Sequence, residues 1–260
     1  MDQKKIAVVV AVCNGERYLE AQLNSIATQT VPPDLLLIGD DKSTDATVSI
    51  LQRFQNSAQI DCKLVLNEER LGIMGNFQQL MYQAKDKDYV FLADQDDLWY
   101  PNKIEEMIRK LDAAGGGLVF CDATIIDAEG IAGGETWFER IRSHGGSERA
   151  FGLGCTTAMT GRFLSAALPI PKGSGHDTWL HFVAANLDCR TMLDAPLMQY
   201  RVHEGGASKS RNKEKSTEGR RNLRQSRALK DRIARNLPLL GHHSRKLIGL
   251  CRAYIKYRFT

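Results

Sequence analysis

The sequence has no apolar run that approaches the roughly 18 residues needed for a membrane-spanning helix. Its first apolar stretch, Ile6–Val12, has no small-residue cleavage site after it, so it predicts a β-strand and not a signal peptide. The 6 cysteines are scattered and form no CxxC pair. In the absence of an export signal, we expect reduced thiols in a cytosolic protein.

A phosphate-binding P-loop is also missing, because residues 39–44 do not match the pattern GxxxxGKS or GxxxxGKT. What is present is an ordinary globular composition, with 43% hydrophobic and 25% charged residues in a chain of 260. That much apolar material can form a sizeable core, which excludes a disordered, collagen-like or disulfide-stapled protein. The length allows one large domain or two small ones.

Charge is distributed unevenly along the chain. Residues 201–260 contain 17 lysines and arginines against 4 acidic residues, whereas the first 200 residues contain 18 against 27. An acidic body with a basic tail predicts two separate tasks, and the partner of the tail should be anionic. We expect one domain over residues 1–208 and a basic linker with amphipathic helices over residues 209–260.

The basic tail has three interpretations. Its helices lie on an anionic membrane surface, dock onto a partner such as a second copy of the chain, or form a solvated cap on the domain. Binding to nucleic acid would suit the charge, but the two tyrosines and one phenylalanine of the tail form no evident stacking platform. Nucleic acid is therefore not the expected partner.

Strand and helix patterns alternate through the first half of the chain. Continuous apolar runs predict strands at Ile6–Val12, Leu35–Ile38, Lys63–Leu66, Tyr89–Ala93 and Leu118–Cys121. Apolar residues at helical spacing predict helices at Glu16–Thr28, Ala46–Phe54, Gly75–Ala84 and Asn102–Leu111, and one that begins near Asp177. The expected fold class is α/β, with a mainly parallel sheet covered on both faces. The Gly-rich stretch Gly130–Gly146 is expected to be a long loop.

Three carboxylates in the segment Asp94–Asp97 follow the predicted strand Tyr89–Ala93. Packed at the end of a strand, they would repel one another unless a cation or solvent relieves them, and hard oxygen ligands suit Mg²⁺ or Mn²⁺. Ligands of open α/β sheets bind at this same edge. The alternative is an acidic loop that caps the next helix; Asp97 would then be the cap and not a substrate contact.

A second acidic group, Asp40–Asp45, also follows a predicted strand. Asp41 has the chemistry to accept hydrogen bonds from a nucleobase or from ribose hydroxyls. Taken alone, however, the pattern favours a helix start in which Asp40, Asp41 or Ser43 is the N-cap. Two tryptophans, Trp99 and Trp179, either line a substrate pocket or belong to the core.

Five motifs in a fixed order resemble family 2 glycosyltransferases with the GT-A fold, and most closely their rhamnosyltransferase-like branch. The motifs are Val8–Glu16, Ile38–Thr47, Ala93–Trp99, Gly175–Trp179 and Tyr200–His203. The resemblance covers about residues 4–208 and leaves the basic tail outside. It implies a Rossmann-like nucleotide-diphospho-sugar transferase fold, with transfer of a sugar from a nucleotide-sugar to an acceptor hydroxyl, usually with inversion and with a divalent cation.

The resemblance also implies roles for the catalytic and metal-binding residues. Asp94 and Asp96 are similar to the ends of the family's Asp-X-Asp motif, with Asp96 as the direct ligand of a Mg²⁺ or Mn²⁺ ion on the donor diphosphate. His203 falls where some members place a further metal or diphosphate contact. Asp177 matches the general base that takes the proton of the acceptor hydroxyl, although an N-cap role for the following helix is the alternative.

Donor contacts are implied at five further positions. Asp41 matches the carboxylate that reads the base, Ala11, Cys13 and Glu16 lie where the first loop surrounds the nucleoside, and Arg70 lies in a loop that often touches the donor. Many relatives have a hydroxyl residue and an aromatic residue where this chain has Ala11 and Cys13. Stacking of the base is therefore expected to be weaker or to come from another part of the chain.

The branch favours dTDP-rhamnose as the donor and leaves UDP-sugars open. The implied acceptor is a glycan or a lipid-linked saccharide of bacterial surface polysaccharide synthesis, used by a cytoplasmic enzyme at the inner face of the inner membrane. Two alternative functions are that of a sugar nucleotidyltransferase and that of a protein that binds a nucleotide-sugar without catalysis. A nucleotidyltransferase would normally have a Gly-rich basic loop near its start, and residues 11–18 have no such character.

Overall fold

The structure is a computed structural model that describes residues 4–148 and 151–204. The predictions for the linker and tail, residues 209–260, lie outside the described residues. The strands are β1 (Ile6–Val12), β2 (Leu35–Asp40), β3 (Asp61–Leu66), β4 (Tyr89–Ala93), β5 (Leu98–Trp99), β6 (Leu118–Ile126), β7 (Ala132–Thr136), β8 (Thr157–Thr160) and β9 (Arg190–Arg201). The helices are α1 (Leu19–Ala27), α2 (Thr47–Ser57), α3 (Gly72–Ala84), α4 (Lys103–Ala113), α5 (Trp137–Ser143), α6 (Gly161–Ala167) and α7 (His176–Asn186).

All nine strands join in one sheet with the order β3-β2-β1-β4-β8-β6-β9-β5, and β7 pairs with β6. The half that contains β3, β2, β1 and β4 is parallel, with Val8 of β1 opposite Leu36 on one side and Phe91 on the other. In the second half, β8 is antiparallel to both of its neighbours, while β6 and β9 are parallel. The α/β prediction is confirmed, with a mixed sheet.

The core lies on both faces of this sheet because successive residues of a strand point to opposite sides. Val8 and Val10 pack in one buried cluster, whereas Ala7 and Val9 pack in the other. Helices α1, α2 and α4 contribute apolar residues to the first cluster. Helices α3, α5, α6 and α7 contribute to the second. The uninterrupted apolar sequence of β1 therefore follows from burial on both faces.

The prediction of a long loop over Gly130–Gly146 is wrong. Strand β7 and helix α5 occupy most of it, and α5 begins with a capping box in which Thr136 and Glu139 bond each other's backbone N–H. Phe138 anchors the helix in the core, fully buried against Phe151 at 4.5 Å between ring centroids. The spacing of Thr136 and Glu139 was a helix-start signal that the glycines obscured.

The five cysteines in the described residues are free thiols, in agreement with the expectation from their spacing. Within 4–148 and 151–204, no helix combines the length and hydropathy that crossing a membrane would need.

Candidate active site

The carboxyl ends of β1, β2 and β4 lie side by side in the parallel half of the sheet. The loops that follow these strands contain residues 13–18, 41–46 and 94–97, which include most of the predicted site residues. Parallel strands present their carboxyl ends at one edge of the sheet, which explains why motifs that are distant in sequence meet here.

The Asp94–Asp97 segment concentrates negative charge at the end of β4. Asp94 is partly exposed, and burial together with the charges of Asp96 and Asp177 raises its pKa. Asp97 is 1% exposed, and its burial together with the charges of Asp96 and Asp94 raises its pKa well above the ordinary value. Its Oδ2 has no hydrogen-bond partner among the described residues. Carboxylates that oppose each other's ionisation in this way fit a site for a hard divalent cation.

His203 reaches this segment from a position 107 residues further along the chain. Its Nε2 lies 2.8 Å from Asp96 Oδ2, and both side chains are mostly buried. The ring of Tyr18 packs edge-on against the imidazole at 5.1 Å between centroids. The structure thus brings the two predicted metal ligands together, and it places the aromatic ring of Tyr18 beside His203.

Arg201 forms hydrogen bonds with the same acidic segment. Its backbone N–H donates to Asp97 Oδ1 at 3.0 Å, and its Nε donates to the Asp96 carbonyl at 2.9 Å. Its Nη1 donates to the carbonyls of Asp127 and Ala128, and its guanidinium lies over the Tyr18 ring. Asp97 therefore accepts a bond from β9 and does not cap the following helix, whose N-cap is Asn102.

Asp177 lies in the first turn of α7, and Gly175 is the N-cap, so the N-cap alternative for Asp177 is wrong. Its Oδ1 accepts hydrogen bonds from the backbone N–H and the hydroxyl of Thr178. Asp177 is half-buried, and its charge acts on Asp94 strongly enough to raise the pKa of that carboxyl. The charge of the predicted base therefore acts on the acidic segment.

The first loop is clamped to the acidic segment by Gln95, a residue that the sequence analysis passed over. Gln95 Oε1 accepts from the Cys13 N–H at 2.7 Å, and Nε2 donates to the Cys13 carbonyl at 3.1 Å. A side chain at Gly15 would approach Gln95 Oε1 to 2.8 Å, so the clamp needs a glycine there. Burial raises the pKa of the Cys13 thiol, while the nearby charge of Arg70 acts against this. The charge of Arg70 therefore acts on the Cys13 thiol, 57 positions earlier in the chain.

Asp41 is buried and holds the loop that contains Arg70. Its Oδ1 accepts from Asn67 Nδ2 and the Leu71 N–H, and its Oδ2 accepts from the Gly72 N–H at 2.8 Å. Gly72 has a φ of +70°, the left-handed conformation that glycine adopts without strain.

The predicted N-cap role of Asp40, Asp41 or Ser43 is wrong, because α2 begins after Ala46. Glu16, which is exposed, instead accepts from the Ala46 N–H through its carboxylate. Ala11 lies half-buried near the end of β1, opposite Gly39. Trp99 and Trp179 are both 4% exposed and belong to the two core clusters, as the core alternative predicted.

The fold is that of the glycosyltransferases of the GT-A type. A family model for glycosyl transferase family 2 matches residues 7–163, and the chain belongs to this family.

Among its relatives, the dTDP-rhamnosyl transferase RfbG of Shigella flexneri is 30% identical over 75% of this chain and 72% of its own length. The UDP-Glc:alpha-D-GlcNAc-diphosphoundecaprenol beta-1,3-glucosyltransferase WfgD of Escherichia coli is 26% identical over 82% of this chain and 83% of its own.

Two solved structures share the fold at 18% sequence identity. Residues 1–349 of TarS from S. aureus, in complex with UDP-GlcNAc, match with a TM-score of 0.64 over 98% of this chain and 78% of that one. The mannosyltransferase PcManGT from Pyrobaculum calidifontis, in complex with GDP-Man and Mn²⁺, matches with a TM-score of 0.62 over 96% of this chain and 70% of that one. These likenesses confirm the predicted fold.

Proposed function

We propose that this chain is an inverting glycosyltransferase that moves a sugar from a nucleotide-sugar to an acceptor hydroxyl. The observation that supports this best is the contact between Asp96 and His203, which are 107 residues apart, at the carboxyl end of β4. The charge of Asp177 acts on the neighbouring Asp94. Inversion proceeds by one direct displacement, so the reaction needs a base but no nucleophile from the protein.

Asp177 is the base in this proposal. It accepts the proton of the acceptor hydroxyl as the oxygen attacks the anomeric carbon of the donor. The N-terminal turn of α7 stabilises its negative charge, because the helix dipole is positive there. The bonds to Thr178 fix the direction of the carboxylate. A substrate hydroxyl within hydrogen-bond reach would complete the geometry.

Asp96 and His203, with Asp94 beside them, would hold a Mg²⁺ or Mn²⁺ ion. Such a cation, when bound, supplies electrostatic stabilisation of the departing nucleoside diphosphate. The mutual repulsion of the carboxylates and the orphaned Oδ2 of Asp97 support a cation at this place. So does the presence of Mn²⁺ with the related mannosyltransferase.

The donor nucleotide binds beside Cys13 and Arg70 in this proposal. Ala11 near the end of β1 and Glu16 in the first loop are further donor contacts, and Asp41 holds the loop of Arg70. The Shigella relative favours dTDP-rhamnose as the donor, whereas the Escherichia relative and TarS leave UDP-sugars as the alternative.

The acceptor is a glycan or a lipid-linked saccharide, and the process is the synthesis of a bacterial surface polysaccharide. The name of the Escherichia relative, which contains a diphosphoundecaprenol-linked sugar, supports a lipid-linked acceptor. The basic segment 209–260 suits the anionic inner face of a membrane. We therefore place the enzyme in the cytoplasm, peripherally on the inner membrane.

Donor binding is tested with nucleoside diphosphates and nucleotide-sugars in a thermal-shift panel, with and without Mn²⁺ or Mg²⁺. A donor at 100 times its Kd adds about 2.7 kcal/mol of apparent stability. We expect a cation-dependent shift for one base that Asp96→Ala abolishes and that Asp86→Ala, at an exposed position before β4, leaves unchanged. If no nucleotide shifts the wild type, the donor site is wrong.

Catalysis is tested separately with Asp177→Asn. This variant should bind the donor as the wild type does, while sugar transfer falls by roughly 10²–10⁴-fold because the base is gone. NMR of the product should show an inverted anomeric configuration. Transfer at the wild-type rate by Asp177→Asn would refute the assignment of the base, and donor binding without any transfer would favour a non-catalytic binding protein.

A further inference from the structure

A lysine lies buried beneath the acidic segment. Lys103 is 0% exposed, and its Nζ donates to the Cys155 carbonyl at 2.7 Å and contacts Met198 Sδ at 3.1 Å. The ammonium also lies over the ring of Trp99, 3.9 Å from its centroid. Within the described residues, no carboxylate pairs with Lys103 at salt-bridge distance.

Two features of this location disfavour a positive charge. Taking an ammonium out of water costs several kcal/mol when no opposite charge compensates it. Lys103 is also the first residue of α4, where the helix dipole is positive and favours acidic residues. The contacts with Cys155, Met198 and Trp99 offset only part of these costs. Nearby negative charge is therefore needed for the buried Lys103 to remain protonated.

Two carboxylates near Cys155 contribute to that negative charge. Ligand atoms of Asp94, Asp97 and Cys155 all lie within 4.8 Å of one another, and the carbonyl of the same Cys155 binds Lys103. Asp97 is as deeply buried as the lysine. Burial lowers the pKa of Lys103, and the side chains of Cys121 and Cys155, followed by Asp97 and Asp94, oppose this effect. Lys103 and two carboxylates of the acidic segment therefore share Cys155 as a neighbour, and their charges act on one another.

We propose that Lys103 is an internal counter-cation that sets how tightly the Asp94–Asp97 segment binds a divalent metal ion. The inference rests on the proposed metal-dependent function. Lys103 offsets the repulsion between the carboxylates in the metal-free protein, so they keep their arrangement before the donor arrives. The same positive charge opposes a second cation, which weakens metal binding and favours its release with the nucleoside diphosphate.

The experiment is a titration of Mn²⁺ into the full chain, followed by EPR of the free ion, alone and with excess UDP or dTDP. Lys103→Met removes the charge and keeps an unbranched side chain of similar length. We expect it to bind Mn²⁺ on the order of tenfold more tightly, since a unit charge close by in the interior acts with this strength. Lys110→Met in the same helix is the matched control and should bind as the wild type does.

A double variant tests whether the change in Mn²⁺ affinity comes from the charge of Lys103. Lys103→Met combined with Asp97→Asn removes one charge of each sign and should return the Mn²⁺ affinity toward that of the wild type. If Lys103→Met alone does not fold, Asp97→Asn, which keeps the lysine, should bind Mn²⁺ about tenfold more weakly. A structural role of Lys103 would only weaken binding, so tighter binding distinguishes the two.

Unchanged or weaker binding by folded Lys103→Met would overturn the inference, as would unchanged binding by Asp97→Asn. In both cases a wild type that binds Mn²⁺ would leave the proposed metal site intact. A wild type that binds no Mn²⁺, even with UDP or dTDP, would refute the metal site and the inference with it.

Discussion

Acidification should destabilise this protein through His181, a residue for which the sequence suggested no role. The ring is 7% exposed, and Phe120 packs edge-on against it at 5.2 Å between centroids. Arg190 Nε donates to His181 Nδ1 at 2.9 Å. The Thr157 hydroxyl lies 2.9 Å from His181 Nε2 and donates its own proton to the Leu153 carbonyl, so it accepts from Nε2. These bonds require the neutral ring with its proton on Nε2.

The size of the effect follows from the pKa. Burial, and next the charge of Arg190, lower the pKa of His181 from 6.5 to about 3. Between these values the unfolded chain binds a proton that the folded chain does not, so stability is lost as the pH falls below 6.5. From pH 7 to pH 4.5 the loss amounts to about 2.5 kcal/mol, and below about pH 3 it approaches 5 kcal/mol.

The assay compares urea unfolding of the wild type with that of His181→Gln at pH 7, 5.5 and 4.5. Glutamine can accept from Arg190 and donate to Thr157, but it does not titrate. The free energy of unfolding should therefore fall by about 2.5 kcal/mol more in the wild type than in the variant over this range. Exposed His144→Gln is the control. Parallel pH profiles for the wild type and His181→Gln would refute the reasoning.

Two further predictions concern the bonds between Gln95 and the Cys13 backbone and the packing of helix α5. Gln95→Ala removes both bonds to the Cys13 backbone, so it should cost about 1–3 kcal/mol in urea unfolding and weaken the nucleotide-induced thermal shift; a full shift would contradict the clamp. Phe138→Ala should cost about 3–5 kcal/mol because it empties a fully buried site beside Phe151. A cost below about 1 kcal/mol would indicate that α5 does not pack on the core.

Much of the parallel half of the fold could be predicted from the sequence, because its strands are buried on both faces and their apolar runs are continuous. Strand β1 was predicted with the bounds that the structure has, and β4 likewise. The strands β8 and β9 were not predicted. Strand β9 is long, only partly buried and interrupted by irregular pairing with β6, so it has no clean apolar pattern. Its place in the sheet depends on pairing that no local pattern reports.

The sequence alone determined that Asp94, Asp96 and Asp97 stand at the end of a buried strand and that Asp177 stands near the start of a helix, because these are local relations. Only the tertiary structure decided that His203 meets Asp96, that Gln95 bonds to the backbone of Cys13, and that Lys103 is buried with its ammonium on the Cys155 carbonyl. Each of these relations joins residues that are far apart in sequence, and only the pairing of strands and the packing of helices bring them into contact.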